Sequence, residues 1–429
     1  MQRSHRREFL AGSARAAAGL TILVSSAAKA APSERLNLAV MGIRGRGRSL
    51  ALGFAALKDA QVSHLCDVDR NLLPPVATAV GQRQDSEPKI EADVRRILDD
   101  PSVDALVVAT PDHWHALATV WACQAGKHVY VEKPAAHDVW EGRRMVEAAR
   151  KYDRVVQLGT QSRSAPHYRA MVEFLRAGKL GRVHMAKAWN SQLRGQIGKK
   201  ADSPVPPGVD YDLWLGPAPE RPFNVNRFHS TWHWNWDYGT GDMGNDGVHD
   251  LDIARWGLGV VAPTVVTAAG GKLENDDDQQ VPDTQVVTFS FPESRAVLVY
   301  EQRLWSPYVQ EGYENGVAFY GTEGYILAGR SGWKLIARGN KPVPVESRPF
   351  SDEPHKRDFL DAIKEGRRPH ADIEEGHRSS TLAHLGNIAT RVGRQLRFDG
   401  TTETIADDRE AAALLRRSYR RPFEVPERV

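Results

Sequence analysis

Lys133 stands where a short apolar run, His128-Val129-Tyr130-Val131, is followed by Glu132-Lys133-Pro134. Strands of open α/β sheets are apolar and bind ligands at their carboxyl ends, so charge at a strand end indicates a candidate site. Pro134 biases the residue before it towards extended geometry, so Lys133 is presented rigidly. A lysine held in this way can move a proton to or from a substrate, but in isolation the pattern also fits a solvated loop lysine paired with Glu132.

A second polar group precedes a helical pattern at residues 253–258 and contains Asn245, His249 and Asp252. At helical spacing Asn245 and His249 share a face, and so do His249 and Asp252. An acid so placed can orient a histidine that acts as a general base. The alternative interpretation is a capping and packing cluster at the start of the helix.

A glycine-rich turn, Gly42-Ile43-Arg44-Gly45-Arg46-Gly47, links an apolar run at residues 36–41 to a helical pattern at 48–57. Strand, glycine-rich turn and helix together predict a dinucleotide site, because backbone N–H groups at a helix start hold a pyrophosphate. Asp67 ends the next strand and suits a ribose 2′-hydroxyl, which favours NAD over NADP. Arg44 stands where a second glycine is usual, so Gly45 takes that role in a shifted turn, with Arg44 or Arg46 near a phosphate. A plain strand–helix turn is the alternative.

Polar residues also follow the later strands of this half. Thr110-Pro111-Asp112-His113-Trp114-His115 opens a helix after a β-branched run at 103–109, and Gln161 and Arg163 lie in the polar stretch at 159–164. His113 and His115 are predicted to lie beside the nicotinamide ring; ordinary packing at a helix start is the alternative. A zinc site is disfavoured because no third ligand is near in sequence and no zinc spacing is present.

An irregular stretch at residues 195–245 is rich in proline and glycine, and such stretches in compact domains are usually functional. Within it, Trp232, Trp234 and Trp236 belong to a segment with five aromatic residues in eleven positions, 228–238. Aromatic faces with polar neighbours suit sugar rings, whereas the alternative is that the rings anchor the loop in a core.

The elements around these residues predict an α/β protein. Strands and helices alternate up to residue 158, as in a doubly wound parallel sheet of the Rossmann type. Strand patterns at 286–291, 296–303, 316–320, 325–327 and 334–336 are separated by turn signals, which predicts a mostly antiparallel sheet, and helices are expected at 356–365 and 374–393. We expect a nucleotide-binding domain at 31–158 and a substrate-binding domain at 159–429.

Residues 1–30 have the pattern of a twin-arginine signal peptide. Arg6-Arg7 precede an alanine-rich stretch and a small-x-small site at Ala28-Lys29-Ala30, which predicts folded export to the periplasm or beyond. The whole chain of 429 residues carries +3 and this segment +4, so the remainder carries −1. That balance gives no reason to expect a nucleic-acid partner, and we expect no membrane insertion after signal removal. Cys66 and Cys123 are predicted to be buried free thiols.

Taken together, the motifs resemble the Gfo/Idh/MocA family of glucose-fructose oxidoreductase and inositol dehydrogenase relatives. The resemblance rests on residues 42–47, Asp67, 110–113, 132–134 and the segment ending in His249, and it is greatest to the secreted twin-arginine branch. It implies a C-terminal α/β domain whose large open sheet forms a homodimer or homotetramer interface. It also implies a nicotinamide cofactor beside a sugar or cyclitol.

The resemblance further implies roles for individual residues. Lys133 would hold the reacting hydroxyl, and His249 would be the acid/base. Asn245 departs from the family, in which many relatives have an aspartate at that position, so Asp242, Asp246 or Asp252 is expected to substitute. The expected residues are, for catalysis, Lys133, His249 and Asn245; for the cofactor, Gly42, Ile43, Arg44, Gly45, Arg46, Gly47, Asp67, Thr110, Pro111, His113, His115, Glu132, Lys133 and Gln161; for substrate, Lys133, Arg163, Trp232, Trp234, Trp236, Asp246 and His249.

The leading hypothesis is NAD-dependent oxidoreduction of a sugar, cyclitol or glycoside with a tightly bound cofactor, because no pool of free dinucleotide exists outside the cytoplasm. One alternative is a redox-assisted glycoside hydrolase or lyase, in which transient oxidation acidifies a neighbouring C–H and a glycosidic bond leaves by elimination. The other is a non-catalytic binding protein on a Rossmann scaffold.

Overall fold

The computed structural model describes residues 35–345 and 350–429. The predicted signal peptide therefore lies outside the described residues. Among the helices that the structure describes, none combines the length and hydropathy needed to cross a bilayer.

The first sheet is parallel throughout and has six strands in the order β3-β2-β1-β4-β5-β6. Its strands are β1 (Leu36–Met41), β2 (Ala60–Cys66), β3 (Lys89–Glu91), β4 (Ala105–Val108), β5 (His128–Val131) and β6 (Val156–Leu158). The helices that connect them are α1 (Gly45–Ala55), α2 (Leu73–Gln84), α3 (Val94–Leu98), α4 (Asp112–Gln124) and α5 (Val139–Lys151). The predicted doubly wound sheet is confirmed.

The strand order places the candidate site. β1 and β4 are neighbours, and the chain leaves them towards opposite sides of the sheet, which opens a crevice at their carboxyl ends. The glycine-rich turn follows β1, Asp67 follows β2, Thr110 follows β4 and Lys133 follows β5. All four segments therefore end at the same edge of the sheet.

The second sheet has ten strands in the order β14-β13-β12-β11-β7-β10-β9-β8-β15-β16. They are β7 (Val183–Asn190), β8 (Val265–Gly271), β9 (Thr284–Phe291), β10 (Ala296–Arg303), β11 (Asn315–Gly321), β12 (Gly324–Gly329), β13 (Gly332–Ala337), β14 (Lys341–Val343), β15 (Leu396–Asp399) and β16 (Thr404–Ile405). Only β7 and β10 pair in parallel among the ladders that the structure describes. The prediction of a mostly antiparallel sheet is confirmed.

Helices cover one face of this second sheet. The helices of this half are α6 (Pro166–Arg176), α7 (Tyr211–Leu215), α8 (Val248–Leu258), α9 (Glu353–Glu365), α10 (Ile373–Val392) and α11 (Arg409–Ala413). Leu251, Phe289, Phe319 and Leu385 belong to the core between α8, α10 and the inner face of the sheet. A short π-helical turn, Met243–Gly247, runs directly into α8 and carries Asn245.

Two late segments of the chain return to the first sheet. In α9, Phe359 packs with its ring against Phe54 and Tyr130, at centroid distances of 6.2 and 5.8 Å. Near the end of the chain, Phe423 and Val425 belong to the core beneath β4 and β5. The sequence interval 159–429 therefore contributes to the packing of both sheets.

Candidate active site

The glycine-rich turn is closely packed at its two ends. Gly42 has φ +80°, and a Cβ there would lie 2.7 Å from the carbonyl oxygen of Ala109. A Cβ on Gly47 would lie 1.6 Å from the carbonyl oxygen of Gly42, so no side chain fits at that position. Arg44 precedes α1 without capping it through its side chain. The N–H groups of Gly45 and Arg46, at the start of α1, are thus left open to a ligand.

Asp67 is held in a fixed orientation at the end of β2. Its two carboxylate oxygens accept from the backbone N–H groups of Ile43 and Asp69, each at 2.9 Å. Burial raises the pKa of Asp67, and those backbone donors act in the opposite direction. Both oxygens keep lone pairs that can accept from a ribose hydroxyl.

A cavity of about 280 Å³ lies over these groups. Its walls come from the first sheet (Gly42, Arg44, Gly45, Arg46, Asp67, Thr110, Pro111) and from a later segment (Leu213, Trp214, Phe228, His229, Ser230, Trp232, His233). We call residues 207–233 the strap. The strap therefore contributes part of the cavity wall.

Hydrogen bonds fix the strap to the first domain. The backbone N–H of Asp210 donates to the carbonyl of Val68 at 2.9 Å, and the indole N–H of Trp114 donates to the carbonyl of Trp214 at 3.1 Å. His229 approaches Asp69 at 3.4 Å. Because backbone and side chain both contribute, the strap is part of the folded domain and not a loose loop.

The cavity has features that fit a dinucleotide. The glycine-rich turn forms a cradle that a Cβ would fill, and it opens onto the uncapped start of α1. Two buried polar atoms on its wall, Thr110 Oγ1 and Arg46 Nη2, have no hydrogen-bond partner among the described residues. The donors fit a pyrophosphate, and Asp67 fits a ribose.

Arg46 joins this turn to the strand end that carries Lys133. Its Nε donates to Glu132 Oε1 at 2.7 Å, and its Nη1 donates to Asp352 Oδ2 at 2.5 Å. Burial alone would raise the pKa of Glu132, but Arg46 and Lys133 outweigh it and hold that pKa below its ordinary value. Glu132 therefore stays a carboxylate beneath the site and fixes Arg46.

Lys133 is anchored to the second domain. Its Nζ donates to Asn245 Oδ1 at 2.6 Å, and the Lys133–Pro134 peptide bond is cis. His249 lies one helical turn after Asn245, in α8. Burial, Lys133 and Arg330 lower the pKa of His249 to about 4. At neutral pH the ring is therefore uncharged.

Three acids were expected to substitute at Asn245, and the structure separates them. Asp242 accepts from the Asn245 amide at 2.9 Å. Asp246 pairs with Arg194 at 2.5 Å, and burial, which would raise its pKa, is outweighed by Lys133 and Arg194, which lower it. Asp252 was also expected to orient His249. It is instead bound by Arg163 and by the Ser379 hydroxyl, at 2.8 and 2.6 Å.

Sequence reasoning did not identify two residues at this site, Arg194 and His233. Arg194 lies just after β7 and contacts both Asp242 and Asp246. His233 lies on the strap and lines the cavity; burial, Lys133 and Arg194 lower its pKa to about 3. Both residues come from irregular segments with no motif spacing; the long loop at 195–245 is a signal for His233 alone, and Arg194 lies just before it.

His113 and His115 are placed differently from the expectation of a nicotinamide contact. The His113 ring lies between the carbonyls of Trp214 and Tyr238, and burial lowers its pKa to about 3. The His115 ring contacts the carbonyl of Pro134 at 2.7 Å. Both are buried, and they tie α4 to the strap and to the turn after Lys133.

Arg163 and Trp234 are also buried and engaged by protein groups. Arg163, which is 4% exposed, donates from Nε and Nη2 to Asp252. Trp234 packs with Val281 and Leu304 in a small core. Such burial leaves neither side chain a surface for a sugar, in contrast to the substrate contacts expected from the sequence.

Among the remaining predicted residues, Trp232 lies at the cavity. Trp236 is partly buried, with Arg391 4.8 Å from its ring. Gln161 lies in the short 3-10 turn directly after β6. Of the three tryptophans, Trp232 therefore has the best position to contact a ligand.

Two family models match the chain. Residues 36–160 match the NAD-binding Rossmann fold of the Gfo/Idh/MocA oxidoreductase family. Residues 182–425 match the C-terminal alpha/beta domain of the same family.

The chain is also similar in sequence to individual oxidoreductases and to a glycosyl hydrolase. The chain is 28% identical to the uncharacterized oxidoreductase YrbE of Bacillus subtilis over 56% of this chain and 60% of YrbE. It is 21% identical to myo-inositol 2-dehydrogenase of Thermotoga maritima over 85% of this chain and 99% of that protein. It is 23% identical to Glycosyl hydrolase family 109 protein 1 of Shewanella sp. ANA-3, over 46% of this chain and 48% of that protein.

A solved structure shares the fold over nearly the whole chain. The aldose-aldose oxidoreductase of Caulobacter crescentus, complexed with glycerol, superposes with a TM-score of 0.66 at 21% identity. The match covers 85% of this chain and all of that one. At this identity the likeness concerns the fold alone.

Proposed function

Because the chain belongs to the Gfo/Idh/MocA oxidoreductase family, we propose that it oxidises or reduces a CH–OH group of a sugar, cyclitol or glycoside with NAD. The observation that carries the proposal is the position of Lys133. Its ammonium lies at the end of β5 and binds Asn245, one helical turn before His249. A cation and a neutral imidazole are thus combined beside a dinucleotide cleft.

The two groups have complementary tasks. Lys133 donates hydrogen bonds and can hold the reacting hydroxyl oxygen, whereas His249, uncharged at neutral pH, can take up the hydroxyl proton. Arg194 and Asp246 form an ion pair in the same site and can bind further hydroxyl groups of the substrate. When bound, NAD supplies the hydride acceptor of the oxidation.

The choice of NAD over NADP follows from Asp67. Its carboxylate is fixed at the end of β2 and accepts two backbone N–H groups. A ribose hydroxyl can donate to it, whereas a 2′-phosphate would be repelled. An Asp67→Ser variant should therefore lose NAD affinity, and unchanged NAD affinity in isothermal titration would contradict this assignment.

We infer further that the cofactor is retained through the catalytic cycle. The strap forms part of the cavity wall and is fixed to the first domain through Asp210 and Trp114. Retention suits a protein exported by the twin-arginine route to the periplasm or beyond, where the cofactor must be regenerated in place. Protein purified from the periplasm should carry equimolar NAD after gel filtration. Protein that carries no NAD and binds no NAD(H) would contradict both the binding of the cofactor and its retention.

The activity itself is tested by adding D-glucose, myo-inositol and other monosaccharides to this protein and recording the absorbance band of reduced nicotinamide. An increase with any of them supports an oxidoreductase. No change with sugars, in protein that binds them, would favour a non-catalytic binding protein on the same scaffold.

A second candidate is a redox-assisted glycoside hydrolase or lyase with a non-exchanging cofactor. The similarity to a family 109 glycosyl hydrolase favours it, and His233 places a second imidazole on the cavity wall. Elimination needs a second group that can accept a proton from carbon. Release of the aglycone from aryl glycosides without added NAD would support this candidate. Reduction of the bound NAD without cleavage of the glycosidic bond would support the oxidoreductase.

The outer face of the second sheet supports a homodimer or homotetramer. Val286 on β9, Val297 on β10 and Tyr320 on β11 are exposed on it. Apolar side chains on an open sheet face are typical of subunit interfaces. A Val297→Lys variant should sediment as a smaller species than the native protein, and identical sedimentation would contradict this interface.

A further inference from the structure

We propose that Asp242 is a positioning residue that supplies, through the Asn245 amide, the negative charge expected next to Lys133. The family resemblance predicts an acid at position 245, where this chain has Asn245. The inference rests on the proposed function, because it assigns a task to residues of that site. In this chain an acid, Asp242, is linked to Lys133 through one intervening amide.

Three side chains form a continuous line of hydrogen bonds. Lys133 Nζ donates to Asn245 Oδ1 at 2.6 Å, and Asn245 Nδ2 donates to Asp242 Oδ1 at 2.9 Å. An amide has one accepting end and one donating end. Reversing it would place its NH₂ against an ammonium and its oxygen against a carboxylate, so its orientation is determined by its neighbours.

The surroundings of Asp242 suit a carboxylate. The side chain is fully buried, and its oxygens receive donors from Asn245, from Asn190 at 2.6 Å and from Arg194 at 3.2 Å. Burial and the repulsion of Asp246 raise the pKa of Asp242 above its ordinary value, and Arg194 and the two amides offset this rise only in part. All of these partners donate, which is the arrangement that an acceptor-only group requires.

Neither of the other two acids is joined to the Asn245 side chain by a hydrogen bond in the described structure. Asp246 pairs with Arg194, and Asp252 lies in the buried pair with Arg163. Among the described residues, only Asp242 accepts a hydrogen bond from Asn245. The acid therefore sits three residues before Asn245, where the π-helical turn Met243–Gly247 begins.

This geometry makes positions 242 and 245 interdependent. Asn245→Asp alone would place two carboxylates 2.9 Å apart, where both cannot be ionised without strong repulsion. Asp242→Asn alone would remove the negative charge of the carboxylate and leave an amide at both position 242 and position 245. The double exchange, Asp242→Asn with Asn245→Asp, restores one acid and one amide and places the acid directly on Lys133.

The experiment compares the native protein with the two single variants and the double variant, each carrying its cofactor. Turnover is measured with D-glucose and myo-inositol as probes. Each single variant should lose kcat at least about tenfold, the effect of one charge-assisted hydrogen bond, with KM changed less. The double variant should recover to within about threefold of the native protein. A double variant no more active than Asp242→Asn would overturn the proposal.

A second measurement does not depend on activity. In Asn245→Asp one carboxyl has a raised pKa in the folded state, so it contributes stability at low pH that is lost as the pH rises. The groups that face the pair are Lys133, Arg194, Asp246, His249 and Tyr300. They are common to all four proteins.

The thermal unfolding midpoint of Asn245→Asp should therefore fall farther below the native value at about pH 8 than at about pH 5, and the double variant should not show this trend. An Asn245→Asp variant without the pH trend would refute the inferred contact. If no protein, the native one included, turns over any sugar, the proposed function fails, and the unfolding data still decide whether Asp242 and position 245 interact.

Discussion

Replacing Arg163 by methionine tests whether this residue stabilises the fold or binds substrate. Arg163 and Asp252 are 4% and 0% exposed at their side chains, and their contacts are 2.8, 2.9 and 3.0 Å. Removing the arginine leaves the Asp252 carboxylate buried with the Ser379 hydroxyl as its remaining close donor. Loss of one partner of such a buried pair costs about 3–5 kcal/mol.

The assay is the midpoint of thermal unfolding, measured beside an exposed control. Arg421, 88% exposed at its side chain, pairs with Glu424 at 3.5 Å, and Arg421→Met should change stability by less than about 1 kcal/mol. Arg163→Met should lower the midpoint clearly, with KM of the remaining folded enzyme nearly unchanged. An unchanged midpoint with a raised KM would refute the structural role and return Arg163 to the substrate site.

Three further predictions concern the cleft. Gly47→Ala should abolish retention of NAD, because its Cβ would lie 1.6 Å from a backbone oxygen; NAD content after dialysis equal to that of the native protein would contradict this. His233→Asn should lower kcat, since it removes a ring on the cavity wall; full activity would exclude a role in turnover. The pKa of His249 is lowered to about 4, so the unfolded state binds its proton first as the pH falls. Stability should therefore decline below about pH 6.5, less so in His249→Gln, and equal declines would contradict the assignment.

The fold could be predicted because its signals are local. Apolar runs such as residues 36–41 and the glycine-rich turn determine a strand and a turn almost independently of the rest of the chain. Position 47 admits only glycine, and that constraint is visible in the sequence. Spacing along the chain also placed Lys133 and Asp67 at strand ends, because all parallel strands end at the same edge.

The partners of charged side chains could not be predicted in the same way. Asp252 shares a helical face with His249, yet it binds Arg163, which lies 89 residues away in sequence. Spacing along the chain cannot show which of two possible partners, His249 or Arg163, Asp252 binds in the folded protein. The strap presents the same difficulty, since its position over the cleft depends on backbone bonds such as Asp210 to Val68. Such contacts follow from the assembled fold.

The most direct measurement adds a reactive sugar to native protein and to Lys133→Met, both carrying retained NAD, and records reduced nicotinamide. Lys133 contacts Asn245 and does not line the dinucleotide cavity, so the variant should hold NAD as the native protein does. We expect the reduced band to appear in the native protein and to be absent from the variant. Equal rates of reduction in the two proteins would contradict the assignment of Lys133 as the residue that holds the reacting hydroxyl.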